Sequence, residues 1–106
     1  MRVLVTGASG FVGRYVVPAI AERGHAVRAL SRRPIEGFEF VEADLLQPLT
    51  LAAALQDVDT VVHLAISVTP DREILRDETI ESTKNLCDTM VAAGVTRLIH
   101  CSSRAV

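Results

Sequence analysis

Gly7-Ala8-Ser9-Gly10-Phe11-Val12-Gly13 decides the fold, because it joins two segments of different periodicity. Before it, Arg2 to Thr6 is a short β-branched run that stops at Gly7, the pattern of a buried strand. After it the period changes to a helical one. Phe11, Val12, Tyr15, Val16, Ala19 and Ile20 fall on one stripe of a helix from Phe11 to Arg23, with Gly24 as its stop. Pro18 inside that stripe predicts a kink or a lost hydrogen bond. At such a junction Gly7 permits a tight turn, and Gly10 lets backbone approach a pyrophosphate with no side chain in the way. Gly13 lets the helix pack closely against the strand. Ser9, Phe11 and Val12 complete the candidate site, where free N–H groups and the positive end of the helix dipole face the phosphates. A dinucleotide site is the reading; a glycine-rich turn of purely structural use competes with it. A mononucleotide P-loop is excluded, since its lysine is absent and the single lysine of the chain is Lys84.

Outward from that turn, strand and helix alternate. Ala26 to Leu30 reads as a second strand and Phe38 to Glu42 as a short third one. Leu49 to Gln56 reads as a helix, and Thr60 to Ala65 as a fourth, nearly all-apolar strand. From Ile74 to Ala93 a longer helix places Ile80, Thr83, Leu86, Cys87, Met90 and Val91 on one face, with Gly94 after it. Arg97 to Cys101 is the fifth strand. Short apolar strands separated by helices mean parallel βαβ units with helices on both faces.

Composition bounds the function. The 106 residues are one domain's worth, 49% hydrophobic and 23% charged, which is ordinary globular composition. Eleven Lys plus Arg against thirteen Asp plus Glu leaves a net charge of −2, so bulk electrostatics predicts no nucleic-acid partner. No apolar run approaches the ~18–20 residues that cross a bilayer, and Gly7 comes too soon for a signal peptide. Cys87 and Cys101 have no metal-ligand spacing and are expected to be reduced, mostly buried thiols of a cytoplasmic protein. His63 is expected in a core or strand-end role, His25 and His100 are expected to be structural, and no metal is predicted.

The end of the second strand selects the cofactor. An NAD site carries an Asp or Glu about 20 residues on, for the ribose 2′-hydroxyl. Here stand Ser31-Arg32-Arg33. A guanidinium pairs with a 2′-phosphate and stacks on adenine, so NADP(H) is favoured with NAD(H) as the alternative. Two solvated loop arginines are the competing reading.

Read together, these segments resemble the short-chain dehydrogenase/reductase superfamily, most closely its extended, NAD-dependent epimerase/dehydratase-like branch. TGASGFVG (Thr6 to Gly13) is similar to the family's TGxxGxxG loop, and VRALSRRP (Val27 to Pro34) to the VRALxR of NADP-binding members. EADLLQP (Glu42 to Pro48) resembles the stretch whose Asp-Leu pair implies that Asp44 holds the adenine amino group and Leu45 packs beside the ring. DTVVHLA (Asp59 to Ala65) resembles the strand whose end, here Leu64 and Ala65, lies over the adenine ribose and pyrophosphate. TIESTKNL (Thr79 to Leu86) is similar to NVxGTxNL, with Thr79 in place of the family's structural Asn. VTRLIHCSSRAV (Val95 to Val106) resembles VxRxVxxSSxxVYG, which puts Ser103 at the family's catalytic serine.

The resemblance implies a doubly wound parallel sheet of Rossmann type over residues 1–106, strand order 3-2-1-4-5, with right-handed crossovers. It also implies an N-terminal, cofactor-binding portion of a longer oxidoreductase, epimerase or dehydratase acting on a secondary alcohol or ketone of a small molecule. A homodimer through the 74–93 helix is a further implication. The family's Tyr-x-x-x-Lys pair is not among these residues: Tyr15 is the one tyrosine, and Val106 stands one position before the family's catalytic tyrosine. The 106 residues alone are therefore expected to be inactive. A non-catalytic NADP(H)-binding sensor of the same superfamily is the alternative, and Tyr next to Val106 with a Lys four residues on would exclude it.

Overall fold

The computed structural model describes residues 1–31, 34–65 and 71–101. Strands β1 (Arg2–Thr6), β2 (Ala26–Ser31), β3 (Glu39–Glu42), β4 (Thr60–His63) and β5 (Arg97–His100) form one parallel sheet in the expected order, β3-β2-β1-β4-β5. Alternation along the strands feeds two cores. Val3, Val5, Val27, Ala29 and Val62 meet α1 (Gly13–Glu22) on one face. Leu4, Leu30 and Val61 meet α2 (Leu51–Ala54) and α3 (Arg72–Ala93) on the other. Leu4, Leu51, Leu55 and Leu86 are fully buried there, each worth about 1.5–3 kcal/mol of transfer from water. No helix among the described residues is long and apolar enough to cross a membrane.

Several expectations are corrected. α1 is rotated relative to its predicted stripe: Gly13, Val16, Val17, Ile20 and Ala21 face the sheet, while Phe11 and Tyr15 are 75% and 64% exposed. The Arg14 guanidinium lies over both rings, 4.7 Å from Phe11 and 5.1 Å from Tyr15, and gives them a partner outside the core. Pro18 lies on this exposed side, where water can take the carbonyl that its ring leaves unbonded. The predicted 49–56 helix shrinks to a 3-10 turn (Pro48–Thr50) and one turn of α2, before Asp57 turns the chain with φ 61°. Ile80 and Val91 of α3 face solvent, because only Leu86 and Met90 of the predicted face reach the core. Cys101 is exposed and Cys87 half-buried, against the expectation of mostly buried thiols.

Arg28 is the polar tie that hydropathy alone misses. It is buried in β2, donates through Nε to Glu39 of β3, and through Nη1 to the carbonyls of Ala54 (2.9 Å) and Gln56 (2.7 Å). The guanidinium thus satisfies carbonyls at the C-terminal end of α2, which carries no basic residue in its last turn. Its hydrogen bond and charge hold the Glu39 carboxyl below the usual carboxylate range.

Candidate functional site

The chain leaves β1 and β4 side by side at the centre of the sheet, and their connections lead to opposite faces. Crevices at the carboxyl ends of such strands are where α/β sheets bind ligands. Gly7 to Val12 form the loop after β1. Gly7 has φ +68°, and a Cβ there would lie 2.6 Å from Ala65 N. A Cβ on Gly13 would lie 2.3 Å from the Gly7 carbonyl and 2.6 Å from that of Ala8, so this glycine seats the helix on the loop. Gly10 differs from both. Its Cβ position meets only the Gly7 carbonyl, at 3.2 Å, and otherwise faces open space.

The helix behind this loop has no cap of its own. Val12, at the N-cap, makes no side-chain hydrogen bond, and the first turn carries no acidic residue. The N–H groups of Phe11, Val12 and Gly13 have no backbone acceptor among the described residues. α3 is built the other way: Asp71 Oδ1 accepts from Glu73 and Ile74 N–H at 2.9 and 3.1 Å. Unpaired donors, a helix dipole and a space that a Cβ at Gly10 would fill together suit an anionic group such as a phosphate. Ser9 is exposed on the same loop.

Behind the loop, Thr6 closes the end of β1 onto β4. Its hydroxyl accepts from the N–H groups of Leu64 (3.1 Å) and Ala65 (3.2 Å) and lies 2.6 Å from His63 Nδ1. His63 Nε2 lies 3.2 Å from the Thr83 hydroxyl of α3. Burial, with the neighbouring His100 adding to it, lowers the His63 pKa to about 4, so the ring is neutral. The expected core and strand-end role of His63 is what the structure gives it. That Thr6 and Thr83 bond to the His63 ring escaped the sequence reading, although both lie inside the motifs it singled out.

After β3, Asp44 and Leu45 stand at the same end of the sheet. Asp44 Oδ1 accepts from Leu46 N–H at 2.9 Å, and Asp44 Oδ2 has no partner among the described residues. The Leu45 side chain is in the core, and its carbonyl accepts from Asn85 Nδ2 of α3 at 2.8 Å. Ser31 is buried at the end of β2. Arg32, Arg33 and Ser103 lie outside the described residues. The remaining candidates converge on one rim: the loop after β1, the end of β4 and the turn after β3.

Comparison with known proteins agrees with this fold. The sequence profile of the NAD dependent epimerase/dehydratase family matches residues 3–106. A 3-beta-hydroxysteroid dehydrogenase of Mycolicibacterium neoaurum is 35% identical over 99% of the chain, and an L-arabinose 1-dehydrogenase (NAD(P)(+)) of Haloferax volcanii is 36% identical over 99%. A short-chain dehydrogenase/reductase superfamily protein from Agrobacterium tumefaciens, solved with bound NAD, superposes with a TM-score of 0.86 at 34% identity over 97% of the chain. The chain spans 32%, 42% and 33% of these three proteins.

Proposed function

The chain belongs to the NAD dependent epimerase/dehydratase family, and on that premise we propose that its strand ends bind a nicotinamide dinucleotide for an oxidoreductase. The observation that carries this reading is the loop at Gly10, open where a side chain would stand and lined by unpaired N–H groups. Gly7, Ser9, Gly10, Phe11, Val12 and Gly13 would hold the pyrophosphate, Leu64 and Ala65 the adenine-side ribose. Asp44 would hold the adenine amino group through the oxygen its own turn leaves free, with the backbone of Leu45 beside the ring, since its side chain is in the core. The bound dinucleotide supplies a hydride donor or acceptor.

In the whole protein the reaction we assign is hydride transfer at a secondary alcohol or ketone of a small molecule, with Ser103 hydrogen-bonding the substrate oxygen. Ser31, Arg32 and Arg33 would select NADP(H) over NAD(H), since no carboxylate stands in that triplet to repel a 2′-phosphate. The outer face of α3, with Ile74, Ile80 and Val91 exposed, supports a homodimer through that helix. A cytoplasmic location goes with the two free thiols. Fluorescence titration with NADPH and NADH tests the assignment: saturable binding of either is expected, and binding of neither overturns it.

A further inference from the structure

The turn after β3 is held by bonds that are nearly all its own. Gln47 N–H donates to the Asp44 carbonyl at 2.9 Å, Thr50 N–H to that of Gln47 at 2.9 Å, and Asp44 N–H to the Thr50 hydroxyl at 3.0 Å. The Leu46 N–H bond to Asp44 Oδ1 completes an Asx turn. Those bonds define the shape of the turn, while its position rests on the Leu45 side chain in the core and on what bonds to it from outside. Among the described residues, one side chain from another element bonds to residues 44–50: Asn85 of α3, through Nδ2 to the Leu45 carbonyl at 2.8 Å.

α3 itself is seated by Leu86 and Met90, which are buried in the same core as Leu45. Asn85 is thus fixed by its neighbour in sequence and carries that fixed position to the backbone between Asp44 and Leu46. We infer that Asn85 is a positioning residue for the adenine end of the dinucleotide, holding the turn so that Asp44 Oδ2, unpartnered among the described residues, faces its ligand. This rests on the dinucleotide reading given above. Asn85 touches no ligand in this scheme. Its effect passes through one carbonyl, and a carboxylate at the same place would repel that carbonyl instead of donating to it.

The test uses the whole chain and three probes: NAD+, AMP, and nicotinamide mononucleotide, which has a ribose and a phosphate but no adenine. Asn85→Asp should weaken NAD+ and AMP by the same factor, about five- to tenfold for one lost donor, and leave nicotinamide mononucleotide unchanged. Asn85→Gln, which keeps the amide donor, should recover part of the loss. Circular dichroism melts of both variants control for folding, since a general loss of structure would weaken all three probes alike. Equal weakening of all three, or no weakening of AMP, overturns the role of Asn85. Failure of the unsubstituted chain to bind AMP or NAD+ overturns the dinucleotide reading itself, and the Asn85 role with it.

Discussion

The Thr6 hydroxyl and the His63 ring, 57 residues apart in sequence, meet at 2.6 Å and determine each other's hydrogens. Thr6 Oγ1 already accepts from the Ala65 N–H and from the Leu64 N–H, which it shares with the Thr6 carbonyl, so its own hydrogen is directed to His63 Nδ1. The ring proton is then on Nε2, where it donates to Thr83 Oγ1. A second ring proton has no place in this arrangement. Nδ1–H would compete for an oxygen that two backbone N–H groups already approach.

Acid should therefore loosen the centre of the sheet. The folded His63 pKa is about 4, below the ordinary value of 6.5, with burial the main cause and His100 the second. A depressed pKa in a histidine means that folding favours the neutral ring. The contribution is complete above pH 6.5 and is lost as pH falls towards 4, as the unfolded state takes up a proton that the native state refuses. Unfolding free energies from urea titrations should drop across that window by on the order of 1–3 kcal/mol, and His63→Gln should flatten the drop. A flat profile in the parent chain would contradict the neutral assignment.

Gly10 and Gly13 should fail in opposite ways. Gly10→Val meets only the Gly7 carbonyl, 3.2 Å from its Cβ, a contact that a small shift relieves, so circular dichroism should report an intact α/β domain while dinucleotide binding is lost. Gly13→Ala places a methyl within 2.6 Å of two carbonyls and should lower stability by about 1–3 kcal/mol or more. Binding by a folded Gly10→Val chain would place the phosphates elsewhere.

The cofactor preference should reside in Arg32 and Arg33. Replacing both by Ala should erase an NADPH-over-NADH preference on the order of 1–3 kcal/mol, the scale of charge-assisted pairing. Parallel titrations decide it. Equal affinities in the parent chain refute the assignment.

Arg28→Met should destabilise the fold by about 2–3 kcal/mol, chiefly because two carbonyls at the end of α2 lose their donor. Adding Glu39→Gln should cost little more, since Glu39 is half exposed and solvates once its partner has gone. A denaturant double-mutant cycle measures this. Strong additivity would show that Glu39 is held by something besides Arg28.

Much of this was legible because backbone chemistry wrote it. The glycines at 7, 10 and 13 marked the strand-to-helix junction, and short apolar runs marked five strands whose order follows the family pattern. The rotation of α1 was not legible from hydropathy. Phe11 and Tyr15 carry far more apolar surface than Gly13 and Ala21, yet contact with the Gly7 and Ala8 carbonyls sets which side faces inward. Bonds of long sequence separation were equally invisible. Nothing in the local pattern around Arg28, Thr6 or Asn85 names Ala54, His63 or Leu45 as partner. The start of α3 was placed at Ile74 because Asp71, its cap, precedes the apolar pattern.

The contact of Gly7 with Ala65 has an evolutionary consequence. Where the chain leaves β1, it is separated from the end of β4 by main chain alone, since even a methyl would sit 2.6 Å from Ala65 N. The width of that opening is thus a property of peptide geometry, insulated from sequence drift. Divergence in what such a domain accepts is pushed outward to the places where side chains stand at the rim, at Ser31 and in the turn that carries Asp44 and Leu46. A lineage can retune those turns one substitution at a time while the floor between them stays the same.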